Sequence, residues 1–399
     1  HLERRDSGFR VRYAIADVAA FVAPGGPLDV EAHARGQTLY APDADALLYP
    51  PAISHGAASL LPDETRPAVL WTIDLDERGE DVGVEVARAL VRSRSKLSYE
   101  DVQQALDGGS AGESLSLLRE VGLLRQTLEA ERGGIDLQIP EQEIDRGPEG
   151  YELSFRTQLP VERWNAQISL LTGQAAARLM LDAKVGIVRT LPRADEEAVA
   201  RLRRTAAALG VSWAEGTTYA DFVRSLDPGD TRHQAVLVES TVLLRGSGYA
   251  AFDGAVPEHA RHEGVAAPYA HATAPLRRLV DRYVSEVCLA VHAGAEVPGW
   301  ARTALPALPE TMKRTAQRAS QYEAGVVSAV EAAVLERSLG REFDAVVVEV
   351  DRDGEGGTVQ LTEPAVTAHA KGSLPLGERV RVRLTLADVA LRQIRFELA

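Results

Sequence analysis

After Gly340 the chain changes character, and this change is the strongest constraint on its fold. "REFDAVVVEVDRDGEGGTVQL" has the pattern of a hairpin, and "GERVRVRLTLADVALRQIRFEL" has the pattern of another. About 60 residues with five short strands suit a small OB-type barrel. Barrels of this kind commonly bind oligonucleotides, but they also serve as structural caps. From residue 338 onward there are 8 Arg or Lys against 10 Asp or Glu, and the aromatic side chains are Phe343 and Phe396. A base-stacking platform needs aromatics in a positive groove, so both roles stay open for this segment.

Upstream of that module, extended sequence comes first and helical sequence later. Residues 1–105 read as strands punctuated by the turn signals "APGGPLD", "APDADA" and "DERGED". "FRVRYAIADVAAFV" alternates and then turns continuously apolar, as a strand entering a buried sheet does, while "WTIDLD" and "VGVEVARALVRS" read as an antiparallel pair. Residues 99–132 are expected to be helical, and "GGIDLQIPEQEID" and "YELSFRTQL" return to extended structure. From about residue 161 helices dominate, with further ones expected over 218–247, 275–293 and 307–338. "PRADEEAVARLRRTAAALG" has Pro at its start, acids in the first turn and Gly at its end, as helix caps predict.

The chain has 399 residues, enough for two or three domains and a sizeable core. Apolar residues make up 45% and charged residues 26%, an ordinary globular balance. There is no run of about 18 apolar residues to span a membrane, and no secretory leader is visible. The one cysteine, Cys288, rules out an intramolecular disulfide and reads as a small buried hydrophobe. A cytoplasmic protein fits these features. The formal net charge of −14 argues against a generic nucleic-acid coat, so any anion site must be focused.

One stretch offers such a focus. In "HATAPLRRLVDRYV", residues 271–284, Pro275 sits where a helix could begin, and Arg277 and Arg278 fall inside its first turn. The free N–H groups there already make that end positive, so each exposed arginine costs roughly 0.3–1 kcal/mol. Paired guanidinium groups at a helix start make a strong phosphate or carboxylate site, and Asp281 could hold Arg277 in place. Equally, both arginines could pair with acids of the protein itself.

Other motifs carry less. There is no phosphate-binding G-x-x-x-x-G-K-[ST] loop, "RGSGY" is too short for a dinucleotide fingerprint, and "SLLTG" is no nucleophile elbow. His259 and His262 lack the glutamate and spacing of a zinc protease. "DRDGEGGTVQLTE" nearly matches a calcium loop, but Glu363 falls one place late and a hairpin turn is the better reading. Asp43/Asp45 and Asp74/Asp76 read as surface turns.

"YAHATAPLRRLVDRYV" resembles the arginine-bearing motif of the RNB family, the ribonuclease II and ribonuclease R exoribonucleases. Tyr269, His271, Thr273, Pro275, Arg277, Arg278 and Asp281 match that motif, while Ala274, Leu276 and Leu279 depart from it. "YAIADVAAFVAPGGPLDVEAHARGQTLY", "SKLSYEDVQ" and "GGIDLQIPE" are similar to family segments in the same order, with Ala14 and Ala20 where histidines are usual. The resemblance covers nearly the whole chain. It implies an α+β fold: an RNB-type catalytic domain with a mixed sheet and a helical half over residues 1–338, and an OB-type RNA-binding barrel over 339–399. It also implies hydrolysis of single-stranded RNA from the 3′ end to 5′-monophosphates with Mg²⁺, by a protein expected to be monomeric.

Carried over residue by residue, the resemblance makes Arg277 the catalytic contact to the scissile phosphate. Arg278 becomes a neighbouring backbone contact or a structural partner. Tyr40 stacks near the 3′-terminal nucleotide, Glu323 lies on a helix near the RNA end, and Tyr269, His271 and Thr273 complete the RNA-binding set. Gln317 and Ser320 stand where the family has arginines. Two-metal hydrolysis needs clustered carboxylates. The family supplies them from an Asp-Asp-Ala-Leu cluster immediately before the first strand, so the Mg²⁺ ligands are expected upstream of His1, in a longer natural protein. A non-catalytic RNA-binding protein and a scaffold that binds no RNA are the competing classes.

Overall fold

The computed structural model describes residues 1–399 apart from Glu149 and Thr362. Its first quarter is a four-stranded sheet in sequential order: β1 (Leu2–Arg5), β2 (Gly8–Ala16), β3 (Thr65–Leu75) and β4 (Asp81–Arg92). Phe9 to Ala16 pair with Leu75 to Ala68, and Trp71 lies opposite Val86. Side chains alternate between faces. Phe9, Val11, Ile15, Val69, Trp71, Ile73 and Leu75 enter the core, while Arg10 turns outward to a two-bond pair with Asp74 at 2.6 and 2.7 Å.

Every pairing in this sheet is antiparallel, where the family resemblance implied a mixed sheet. Short turns after β1 and β3 leave no room for the crossover that parallel neighbours need, so the β1–β2 and β3–β4 pairs are antiparallel by their connections alone. The α+β class itself stands. The run beginning at Phe9 also stops being a strand at Ala16, and Val18–Ala20 form a 3-10 turn leading toward α1 (Pro27–Arg35).

Next come α2 (Tyr99–Asp107) and α3 (Glu113–Glu131), where one helical stretch was expected. Two glycines, Gly108 and Gly109, end the first helix, as that residue type does. A hairpin of β5 (Glu141–Gly147) and β6 (Gly150–Arg156) leads to the 24-residue α4 (Pro160–Ala183). That helix runs through the centre of the core, touching α3 and β7 (Val185–Thr190). Leu171, Ala176, Ala177 and Met180 on it are fully buried.

A satellite of three helices follows: α5 (Glu196–Ala208), α6 (Tyr219–Arg224) and α7 (Thr231–Ser240). Their caps are Asp195, Thr218 and Asp230, each accepting a backbone N–H. Pro192 lies outside α5, not at its first position. β8 (Gly248–Asp253) pairs with β7, and the two-residue strands β9 (Arg261–His262) and β10 (Ala267–Pro268) lead to α8 (Leu279–His292). This helix is buried almost all round and backs the sheet. α9 (Gly299–Ala304) precedes α10 (Leu308–Leu335), whose 28 residues reach from β8 to the C-terminal module.

That module is a closed barrel in the order β11 (Glu342–Val350), β12 (Gly356–Leu361), β13 (Thr367–Lys371), β15 (Gln393–Leu398), β14 (Arg379–Asp388). Its core is not self-contained. Leu153 of β6 and Val330 and Leu335 of α10 share the cluster with Val347, Val359, Val382 and Phe396. No helix is long and apolar enough to cross a membrane among the described residues.

Candidate nucleic-acid interface

The segment Ala274–Arg277 is a tight turn, fixed by an Arg277 N–H bond to the Ala274 carbonyl (3.1 Å). α8 starts only at Leu279, with Arg278 as its N-cap, so neither arginine lies in the first turn of the helix. The cause is Asp281. Its carboxylate takes the Ala274 N–H (2.8 Å) and the Nε and one Nη of Arg278 (2.5 and 2.8 Å), and these bonds hold Arg278 extended (φ −146°, ψ 122°) between the turn and the helix. Asp281 thus holds Arg278 rather than Arg277. Burial works to raise the Asp281 pKa, but the Arg278 charge and bonds outweigh it and hold the group below the usual carboxylate range. Burial likewise opposes the charge on Arg278, and Asp281 more than restores it. Of the two roles the resemblance allowed Arg278, the geometry is that of a structural partner.

Arg277 is different. Its side chain is exposed and has no hydrogen-bond or ion-pair partner among the described residues. It borders a cleft of about 420 Å³ with Tyr13, Thr38, Tyr40, Asp45, His55 and Thr273 in the lining. Two backbone registers assemble that cleft. Gln37 bridges Arg278, with the Thr38 N–H bonded to the Arg277 carbonyl (3.0 Å) and the Leu279 N–H to the Gly36 carbonyl (2.9 Å). Leu39 bridges Ala46 through bonds of 3.0 and 2.8 Å. Gly36 allows this close approach: its φ of +69° ends α1, and a side chain there would strike Thr315 of α10.

Behind the turn stands a row of aromatic and imidazole rings. Tyr269 packs edge-on against both His271 and His262, and the Tyr249 hydroxyl lies 2.6 Å from His271 Nδ1. Burial, with Arg278 nearby, lowers His271 to about 3, and burial lowers His262 to about 4. The same burial pushes Tyr249 up to about 12 and raises Tyr269. These rings are neutral near pH 7 and brace the turn from behind.

The expected site residues therefore fall into three groups. Tyr40, Thr273 and Arg277 meet in the cleft. Tyr269, His271 and Arg278 support it. Glu323 is exposed on α10 and is not part of the cleft lining. Upstream of it Arg318, rather than Gln317 or Ser320, reaches from α10 to donate to the Ala34 and Arg35 carbonyls at the end of α1. Asp45 and His55 join the lining without a sequence signal: Asp45 sits in a stretch with the pattern of a surface turn, and nothing in the local sequence announces the Leu39–Ala46 pairing that brings it round. Cys288 is buried, and its thiol is pushed up by burial alone.

Among the described residues there is no group of three or more His, Cys, Asp or Glu placed to hold a metal ion. Asp45 and His55 are the cleft's only side chains of those types, so the residues present do not make a Mg²⁺ site.

Residues 1–293 match the family model described as the RNB domain, and residues 341–399 match that of the RNase II-type exonuclease C-terminal S1 domain. The chain belongs to the RNB family. Ribonuclease R of Escherichia coli (strain K12) is 29% identical over 295 residues, covering 70% of this chain and 36% of that protein. The chain thus spans about a third of that relative's length. The fold is similar to Mycoplasma genitalium RNase R in complex with ribose methylated single-stranded RNA (TM-score 0.88, 18% identity, 100% of this chain and 68% of that one). It is also similar to yeast Ssd1, a pseudonuclease (TM-score 0.74, 18% identity, 96% and 48%).

Proposed function

We propose that the protein to which this RNB chain belongs is a 3′→5′ exoribonuclease acting on single-stranded RNA, and that the chain supplies its RNA-holding cleft. The observation that carries this reading is Arg277: an exposed, unpaired guanidinium bordering a cleft with Tyr40 and Thr273, beside a neighbour whose charge is already neutralised. Tyr40 is 46% exposed, which suits a stacking face. In the proposed complex Arg277 takes the scissile phosphate, where its fixed charge stabilises the negative charge that develops on hydrolysis. Release of 5′-monophosphates with Mg²⁺, in a monomeric cytoplasmic protein, belongs to the same proposal. On this reading the metal's carboxylates come from outside the described residues.

A non-catalytic RNA-binding role is the second reading. It is favoured by the absence, among the described residues, of three or more His, Cys, Asp or Glu placed to hold a metal, and by the fold's likeness to a pseudonuclease. The test mixes the 399-residue chain with 5′-labelled single-stranded RNA and Mg²⁺, scoring binding and shortening together. Binding that is lost in Arg277→Ala supports the cleft. A ladder of shortened products shows that this chain hydrolyses RNA by itself. Absence of binding removes the RNA reading for this chain.

A further inference from the structure

The cleft holds one carboxylate that nothing in the protein uses. Asp45 is exposed, has no hydrogen-bond or ion-pair partner among the described residues, and lines the same cleft as Arg277. Its position follows from backbone pairing. Residues directly opposite in an antiparallel pair share a face and lie about 4.5–5.5 Å apart at Cα, and residues two apart on one strand share a face. The Gln37–Arg278 bridge sets Thr38 opposite Arg277, and the Leu39–Ala46 bridge sets Tyr40 opposite Asp45. Arg277, Thr38, Tyr40 and Asp45 therefore point to one side, in that order. A cation, an aromatic ring and a carboxylate thus line one cleft, where a terminal nucleotide offers a phosphate, a base and a ribose.

We propose that Asp45 reads the terminal ribose of RNA held in this cleft, accepting hydrogen bonds from a free 2′,3′-diol and rejecting 3′-phosphorylated ends. The inference rests on the RNA reading above. A carboxylate is an acceptor only, with two oxygens matched to two neighbouring hydroxyl donors, and such charge-assisted bonds are the strong ones. A base on Tyr40 carries its ribose toward the residue paired with Tyr40. A terminal phosphate at that place sets two anions together in a site shielded from water on one side. The other charged or titratable side chains lining the cleft are Arg277, which the internal phosphate occupies, and His55, Tyr13 and Tyr40. Asp45 is thereby a specificity residue.

The experiment measures affinity by fluorescence anisotropy, using the full 399-residue chain in EDTA. The probes are 5′-fluorescein single-stranded RNAs of one sequence, ending in the diol, a 2′-deoxy terminus or a 3′-phosphate. A probe carrying an internal extra phosphate near its 5′ end controls for total charge. Wild type is expected to bind the 3′-phosphate probe at least tenfold more weakly than the diol, with the 2′-deoxy probe between them. Asp45→Asn keeps the shape and removes the charge, and is expected to shrink the phosphate penalty below threefold. Asp45→Ala is expected to do the same and to bind the diol and deoxy ends alike.

Thermal unfolding of both variants checks that this exposed loop leaves the fold intact. Equal affinity of wild type for all three ends overturns the proposal, as does a penalty unchanged in both variants. If the ends are equal but Arg277→Ala weakens every probe, the RNA reading survives and the Asp45 reading alone falls. If wild type binds no probe, both fall together.

Discussion

Replacing Arg277 by alanine is expected to leave folding unchanged and to weaken RNA binding by about 10–100-fold, the range for losing a hydrogen bond to a charged group. Denaturation midpoints and RNA affinities measured side by side check both halves. Arg278→Ala is the contrasting change. It leaves Asp281, which has no exposed surface, charged in the core with only the Ala274 N–H and no counter-charge, a loss of about 3–5 kcal/mol on the usual scale for breaking a buried pair. Because Asp281 is held below its unfolded value, its contribution to stability is present above about pH 4 and drains away as pH falls through the folded value. The histidines have the same sign at higher pH. With His271 near 3 and His262 near 4, against about 6.5 when unfolded, the unfolded chain takes up their protons first. Stability is expected to fall as pH drops from about 6.5, by on the order of 1 kcal/mol per pH unit for each. His271→Gln flattens that slope if the assignment is right, and a slope equal to wild type counts against it.

At the scale of elements, the turn before α8 owes its position to contacts from far away in sequence. Tyr269 and Ala270 lie across α4 at Gly173, whose carbonyl accepts the Ala270 N–H at 3.0 Å. A methyl group on Gly173 would strike the Tyr269 ring and stand 2.5 Å from the Ala270 carbonyl oxygen. Gly173→Ala is therefore expected to cost about 1–3 kcal/mol as an overpacked site and to weaken RNA binding at the same time, although Gly173 is nowhere in the cleft. Unaltered affinity in a destabilised variant would show that the turn holds its shape without α4. The elements themselves were largely legible: hairpin spacing marked β3–β4 and the barrel strands, and the helices expected from about residue 161 and over 307–338 are α4 and α10. The start of α8 was not, because a Pro before two Arg residues reads as a helix entry unless Asp281 is known to fold back on them.

For the whole molecule, the barrel's dependence on its neighbours has a direct consequence. Ending the chain after Ser338 would uncover Val330 and Leu335 of α10 and Leu153 of the β5–β6 hairpin, all packed into the barrel core. Such a truncation is expected to aggregate or to unfold at lower temperature, as calorimetry and light scattering would show. An unchanged melting profile would mean that the remainder folds without the barrel. On the barrel surface, Arg381 and Arg383 of β14 are paired with Glu342, Asp344 and Glu397. Phe396 is buried, so the positive stacking groove that the sequence left open is not formed by these residues. RNA affinity is accordingly expected to depend on Arg277 more than on Arg381 or Arg383, whose alanine variants are expected to change it less than about threefold, since neutralised surface pairs contribute little.

The sequence by itself determined the strand-rich start, the helical middle, the closed C-terminal barrel and the motif that marks the family, because each depends on local periodicity, turn residues or a contiguous string. Its resemblance to the family also singled out Tyr40, Thr273 and Arg277, which meet in the cleft. Only the tertiary structure decided which arginine is free and which is bound, and that Asp45 shares a face with Tyr40. These outcomes rest on a buried carboxylate and on two backbone bridges between segments up to 241 residues apart. Local sequence does not encode a partner's identity at that distance. It sets what each residue can offer, and packing chooses which offers are taken.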